Sequence, residues 1–374
     1  MKYCVNCLYP STKPDLWFND LGLCAACIAF SERERTNWED RENEFRDIAY
    51  AVKQQKFDYD CIIPVSGGKD STYQVIKALE YGLRCLAVTA TTDSLSVLGR
   101  RNLDNISKLG VDHIEITVDK DTRRKISKYA LMEIGDSSWA EHATIFTVPI
   151  HIAHKFAIPL IIYGENPQHE YGGPIQSQCS RNINERWLSE FGGLNGLRVS
   201  DLIEQGILPE EKATLYRYPK SSNLANPSGI FLGAFFPWDG YNNAKISQAN
   251  GFEFSEKPVE GIGFNYENLD NLQTGLRDFL KYVKYGFGRA TDLVCNHIRR
   301  GRLTRNQGIS HCTVWDGNYP ATYLGVSLEE ILDEIDTTVE EYNQVIERFY
   351  NKELFNYWGD GVLEPKFEIG VGLR

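Results

Sequence analysis

The chain has 374 residues, 42% of them hydrophobic and 24% charged, with a formal net charge of −11. That length supports two or three packed units, and that balance excludes a disordered or low-complexity chain. The acidic excess argues against a nucleic-acid-binding surface, no stretch approaches the ~20 apolar residues of a membrane span, and Met1-Lys2-Tyr3-Cys4 has no apolar signal core. The expected home is therefore the cytoplasm, where nine cysteines read as thiols or metal ligands rather than disulfides.

Residues 1–30 carry Cys4-x-x-Cys7 and Cys24-x-x-Cys27, sixteen residues apart. Two such pairs match the spacing of a closed four-thiolate zinc site, and a full thiolate shell leaves no position for water, so the expected zinc is structural. An iron–sulfur cluster is the other occupant this pattern admits. Ser31-Glu32-Arg33-Glu34 reads as a capping box opening a charged linking helix over residues 31–56.

A short apolar run, Cys61-Ile62-Ile63, then leads into Pro64-Val65-Ser66-Gly67-Gly68-Lys69-Asp70-Ser71-Thr72. A helical pattern follows in which Val75, Ile76 and Leu79 recur at one-turn spacing and Gly82 stops the helix. Strand, glycine loop and helix make a phosphate nest: the glycines let main-chain N–H groups approach a ligand, and the helix directs its positive dipole end there. Ser66, Ser71 and Thr72 add hydroxyls and Lys69 a point charge, whereas the Walker spacing is absent. A carboxylate at Asp70 beside bound triphosphate requires an intervening cation, which points to magnesium. A plain capped turn is the bland alternative.

Further strands are expected at Arg84–Ala90, His113–Val118 and Pro159–Tyr163, with helices at Asn102–Gly110, Arg123–Ile134 and Thr144–Phe156. This alternation predicts an α/β fold, a doubly wound and mostly parallel sheet over residues 57–172. Ligands of such sheets lie at the carboxyl strand ends, so Ala90 to Asp93, including Thr91, and Gly164-Glu165-Asn166-Pro167 are expected to border the nucleotide. Glu165 is the candidate for a second magnesium or substrate contact, its alternative being a solvated loop carboxylate. His151 and His154 lie three apart on a helix but lack a third ligand. Residues 173–265 are loop-rich, and Phe235-Phe236-Pro237-Trp238-Asp239-Gly240-Tyr241 reads either as a wall for a sugar ring or as an aromatic cluster closing the core. Over 266–374 a helical region is expected, with capping boxes at Thr304, Ser327 and Thr338; Arg299, Arg300, Arg302 and Arg305 are either an anion site or a solvated basic helix.

Ser-Gly-Gly-x-Asp-Ser at Ser66–Ser71 resembles the PP-loop of the ATP pyrophosphatases, which cleave ATP between the α and β phosphates. With Cys4-Val5-Asn6-Cys7, Val88–Thr92, Gly99-Arg100-Arg101-Asn102, Gly164–Pro167, Phe236–Gly240 and Tyr285–Asp292, the chain resembles the N-acetyl sugar amidotransferases of surface-polysaccharide biosynthesis. The resemblance implies a PP-loop sheet of the adenine nucleotide alpha hydrolase type, preceded by a zinc ribbon and followed by a helical region. It also implies conversion of the acetamido group of a nucleotide-linked sugar to an acetamidino group. ATP would bind at Pro64–Thr72, Ala90, Thr91 and Gly164. Lys69, Asp70 and Glu165 would be catalytic, and Asp70 and Glu165 would hold magnesium. The sugar would meet Asn166, Tyr171, Trp238, Asp239, Arg289 and Arg300. Ammonia would come from a partner glutaminase similar to the glutaminase subunit of imidazole glycerol phosphate synthase, since no glutaminase-type triad is visible here. A tRNA thiolation enzyme is the main rival; its chemistry needs cysteines beside the loop, and Cys61, Cys85 and Cys179 form no pair by sequence. A non-catalytic nucleotide-binding scaffold is the second rival.

Overall fold

The computed structural model describes residues 1–92, 94–173, 182–183, 193–219 and 227–374. Apolar runs without polar alternation form its central strands because both faces of the sheet are covered. Cys61–Pro64 (β1) pairs in parallel with Cys85–Ala90 (β2) on one side and Leu160–Tyr163 (β4) on the other. Asp112–Ile116 (β3), half exposed, lies outside β2. The order is β3-β2-β1-β4-β6-β5, where Ser228–Phe231 (β6) is the fifth parallel strand and Asn182–Ile183 (β5) adds an antiparallel edge. The boundary expected at residue 172 thus cuts through the sheet. Ser228-Gly229-Ile230-Phe231 is too short and too glycine-weakened to mark a strand locally, and pairing with β4 and β5 fixes it.

Helices Lys69–Glu80 (α3), Val97–Lys108 (α4), Lys120–Ile134 (α5) and Trp139–Phe156 (α6) alternate with these strands. The last three begin earlier than apolar spacing predicts, because Ser96 caps α4 and Asp119 caps α5 from outside the apolar face. The linking helix of residues 31–56 is in fact two: Ala25–Arg33 (α1) begins at the second cysteine knuckle, and Trp38–Gln54 (α2) begins at Asn37, which accepts from the Glu39 N–H. Ser31 is no cap, since its hydroxyl donates back to the Cys27 carbonyl at 3.1 Å. Pro167–Tyr171 (α7) follows β4, Val199–Glu204 (α8) lies in the loop-rich region, and Gly240–Ala249 (α9) packs along α3.

The C-terminal region holds Thr274–Tyr285 (α10), Arg289–Arg299 (α11), Arg305–Trp315 (α12), Leu328–Asp333 (α13) and Val339–Phe349 (α14), with three two-stranded sheets. Capping boxes stand at Thr304 and Thr338, and Ser327 caps α13 with its hydroxyl alone. No helix among the described residues is long and apolar enough to cross a membrane.

The sulfurs of Cys4, Cys7, Cys24 and Cys27 all lie within 4.8 Å of one another, with Cys4–Cys27 at 3.7 Å and Cys7–Cys24 at 3.6 Å. A tetrahedral ion with ~2.3 Å bonds to sulfur requires about 3.8 Å between sulfurs, so these residues fit a single zinc ion. Amide donors point at the sulfurs, from Cys24 N–H to Cys4 at 3.3 Å and from Asn6 to Cys27 at 3.4 Å, which stabilises thiolates. This ribbon packs its apolar side, Leu8 and Tyr9, against Phe287, Val294 and Cys295 of the C-terminal region. The Tyr9 hydroxyl donates to Asp292 at 3.0 Å. Stripping the metal is therefore expected to loosen α11 as well as the ribbon. In calorimetry, chelator treatment of zinc-loaded protein should lower the unfolding midpoint by roughly 10 °C or more, and organomercurial titration should release about one zinc per chain.

Candidate nucleotide site at the carboxyl strand ends

The loop after β1 continues the sheet for one residue, as Val65 N–H donates to Val88 O at 2.9 Å, and then turns. Gly67 makes the turn at φ +82°, and a Cβ there would meet the Leu103 backbone nitrogen at 2.7 Å. Only glycine satisfies both constraints. Gly68 caps α3 without a side chain, and its N–H donates to Ser66 Oγ at 3.3 Å. The hydroxyls of Ser71 and Thr72 turn back to Gly68 O at 3.0 Å each. Thr72 is fully buried and lines no cavity at the site, and its hydroxyl bond to Gly68 O shapes the loop.

A cavity of about 380 Å³ opens at the strand ends. Pro64, Val65, Ser66, Asp70, Ser71, Ala90, Thr91, Gly164, Glu165 and Trp238 line it, which brings eight of the twelve expected nucleotide residues to one space, without Gly67, Gly68, Lys69 and Thr72. Leu95, Ile145, Phe146 and Phe231 give it apolar walls, and Gln74, Glu141 and Asp270 add polar groups that sequence reasoning missed. Buried Arg123 donates to Thr91 O and so fixes the end of β2. A smaller hollow of about 130 Å³ adjoins it, lined by Ser66, Gly68, Lys69, Asp70, Ser71, Glu267 and Asp270 among others. Gly67 lies behind these surfaces and serves the turn.

Lys69 does not project freely. Its ammonium bonds Asp70 at 2.6 Å and Glu267 at 2.7 Å, while Glu267 also pairs with Arg289 at 2.5 Å. Burial works against the lysine charge, but the two carboxylates outweigh it and hold the pKa above its ordinary value. Burial likewise opposes the Glu267 charge, yet Lys69 and Arg289 bring its pKa down to about 2. Asn243 on α9 donates to Asp70 at 2.9 Å, and Ser247 one turn on donates to Lys69 O at 2.7 Å. Glu165 accepts from the Trp238 indole at 3.0 Å, and burial, then Asp70 and Glu170, raise its pKa to about 8. Two carboxylates, Asp70 and Glu165, thus face one cavity beside the phosphate nest and oppose each other's charge. That donor set suits magnesium, which binds through one or two carboxylates and completes its shell with phosphate oxygens and water.

The expected sugar contacts are placed differently. Tyr171, Trp238, Asp239 and Arg300 meet Asp70 and Glu165 around a gap of about 30 Å³, room for little more than one water. Asp239 caps α9 and forms a bidentate pair with Arg302 at 2.6 and 2.9 Å. Arg300 donates to Trp238 O at 2.7 Å and meets Glu170 at 3.3 Å. Arg289 lies over the Tyr171 ring, and Asn166 is buried at the start of α7 and lines neither cavity. Arg299 donates to Glu170 O, and Arg305 to Gly370 O. The arginine run is therefore neither a solvated helix nor an open anion site: its charges are turned inward and bonded. Phe235 and Phe236 pack on Phe45, so that part of the segment closes the core, while Trp238 lines the large cavity and Trp238 to Tyr241 line the small gap.

His151 bonds the Arg217 carbonyl, and among the described residues the four cysteines form the only metal-ligand cluster. Cys61 and Cys85, unpaired by sequence, stand opposite each other in register with sulfurs 3.6 Å apart. They sit at the amino ends of β1 and β2, roughly 13 Å of strand away from the loop. Asp93, Pro174 and Cys179 lie outside the described residues.

Residues 260–365 match the family described as the C-terminal domain of WbpG-like LPS biosynthesis proteins. No curated protein matches the sequence. Among solved structures the chain is similar to NMN synthetase from Francisella tularensis, at 13% identity and a TM-score of 0.29, over 57% of this chain and 96% of that one. The matched C-terminal segment supplies Glu267, Asp270 and Arg289, so the part of the chain that resembles this family reaches the loop itself.

Two outcomes follow from these charges. Glu267→Gln leaves Lys69 and Arg289 facing each other in a buried space, so denaturant titration should show a loss of about 3–5 kcal/mol. His297 accepts from Arg302 Nε at 2.9 Å through Nδ1 and contacts the Tyr266 hydroxyl at 2.8 Å through Nε2, which fixes a neutral ring protonated at Nε2. Burial, then Arg302, lower its pKa to about 4, against ~6.5 in the unfolded chain. The unfolded state therefore binds more protons between those values, and stability falls as pH drops from ~6.5 towards 4. His297→Gln should flatten that slope in pH-dependent melting curves.

Proposed function

We propose that this chain is an ATP-dependent amidotransferase that converts the acetamido group of a nucleotide-linked sugar to an acetamidino group, in O-antigen, LPS or related surface-glycan biosynthesis. The observation that carries this reading is a pair of adjoining hollows at the strand ends: Asp70 and Glu165 face the larger, and in the smaller Gly68 and Lys69 of the glycine loop meet Glu267 and Asp270 of the segment that matches WbpG-like LPS biosynthesis proteins. An amide carbonyl resists ammonia because its oxygen leaves poorly, whereas an adenylated oxygen departs as AMP. In this reading Gly68 and the first N–H groups of α3 cradle the β and γ phosphates, and Lys69, held by Glu267, offsets charge developing on pyrophosphate. Asp70 and Glu165 would hold magnesium, which supplies charge neutralisation at the phosphates. The adenine would lie between the end of β2 and Ile145–Phe146, leaving the acceptor amide on the β4 side by Glu165 and Trp238. Ammonia would be delivered by a glutaminase subunit similar to that of imidazole glycerol phosphate synthase.

The buried place of Cys61 and Cys85 at the far end of the strands disfavours thiolation chemistry at the loop. Incubation with ATP, ammonium and N-acetylated nucleotide sugars should yield AMP and pyrophosphate in equal amounts, dependent on the sugar. Asp70→Asn should slow this by on the order of 100-fold. AMP formation only with tRNA and a sulfur donor would support thiolation, and none in any mixture would leave only a scaffold.

A further inference from the structure

Among the described residues four carboxylates line the 380 Å³ cavity: Asp70, Glu141, Glu165 and Asp270. Asp70 bonds Lys69, Glu165 bonds Trp238, and Asp270 borders the loop hollow as well, so these three belong to the phosphate nest and the β4 side. Glu141 stands elsewhere. It lies in the first turn of α6, one turn before Ile145 and on the same face, and both residues line the cavity. Asn271, buried and joined to Leu95 by a β-bridge, donates to Glu141 Oε2 at 2.5 Å. The carboxylate is therefore held at the apolar part of the cavity, between Leu95 and Ile145. Its other oxygen, Oε1, has no partner among the described residues and is not sealed from solvent. The carboxyl lies inside the protein, where burial is the largest influence raising its pKa, so the solvent that Oε1 meets is that of the cavity. Asp270 adds to that rise, while Arg123, Arg277 and the Asn271 amide oppose it and favour the ionised form.

An ionised carboxylate accepts and never donates, which excludes phosphate oxygens as its partner. A flat base needs apolar walls on its faces and polar groups at its edge, and Leu95, Ile145 and Phe146 are such walls beside Glu141. We propose that Glu141 is a specificity-determining residue whose Oε1 accepts from the 6-amino group of adenine. This rests on the reading of the cavity as an ATP site and names what selects the base. Inosine and guanine carry an oxygen at that position, which would face the carboxylate with two acceptors and no proton between them. The bond from Asn271 keeps the carboxylate from turning aside, so the mismatch is not relieved by a change of rotamer.

The test uses the full chain, Glu141→Gln and Glu141→Met. Calorimetry would measure binding of the non-hydrolysable α,β-methylene triphosphates of adenosine, inosine and purine riboside, which differ at position 6 by an amino group, an oxygen and a hydrogen. Wild type should bind the 6-amino form at least ~10-fold tighter than either of the others. Glu141→Gln keeps a carbonyl for Asn271 and turns an amide N–H towards the base, so its preference should pass to the inosine form. Glu141→Met offers neither group and should bind all three within about twofold of one another. A wild type without preference overturns the proposal with no variant needed, and variants that keep the wild-type preference overturn it as well. Equal weakening of all three nucleotides in both variants, absent when 2′,3′-dideoxy forms are used, would assign the carboxylate to the ribose hydroxyls and overturn its role at the base. Failure of wild type to bind any of the three overturns it together with the reading of the cavity as an ATP site.

Discussion

The structure depends on keeping one buried ammonium charged. Lys69 opens α3 in a space with little water, where a lone ammonium would lose its proton. It stays charged because Asp70, its neighbour in sequence, and Glu267, almost two hundred residues away, both reach it. Glu267 in turn is buried and needs Arg289, which shares α11 with Asp292 and Arg299. Each group tolerates its burial only while the next is present, so loop and C-terminal region are tied by a chain of alternating charges rather than by apolar contact alone.

The same helix explains why a cysteine ribbon remote in function belongs to this fold. Tyr9 bonds Asp292 and lies under the Arg299 guanidinium, and the ribbon's apolar side covers α11 and α12. A metal ion held by the four cysteines would fix the two knuckles and with them Tyr9, and Tyr9 and Asp292 help to fix the helix that carries Arg289. The ribbon thereby acts on the loop through packing, without contributing a group to the cavity.

What the sequence made legible was local. The Ser66–Ser71 loop, the cysteine pairs and the runs of β1, β2 and β4 announce themselves because each is specified by residues within ten positions. Ser228–Phe231 was invisible because its strand character comes from β4, and Ser31–Glu34 misled because a correct capping pattern fell inside a helix already begun at Cys24. Asn243, Glu267 and Asp270 carry no local signal, since an asparagine or carboxylate in a loop is ordinary until the chain brings it to Asp70, Lys69 or Ser66.

The arginines show why charge pattern alone misplaces a binding site. Four guanidiniums in seven residues look like an anion receptor, yet Arg299, Arg300, Arg302 and Arg305 each bond Glu170, Asp239 or a backbone carbonyl. A guanidinium has five donors in a rigid fork, so it can brace several loops at once, and that is what these do for the segment Trp238–Tyr241. Trp238 is thereby held with its indole on Glu165 and its ring edge over Gly164. Under the proposed amidotransferase reading, an uncharged acetamido group would then meet the indole and the carboxylate that the run holds in place rather than the charged run itself.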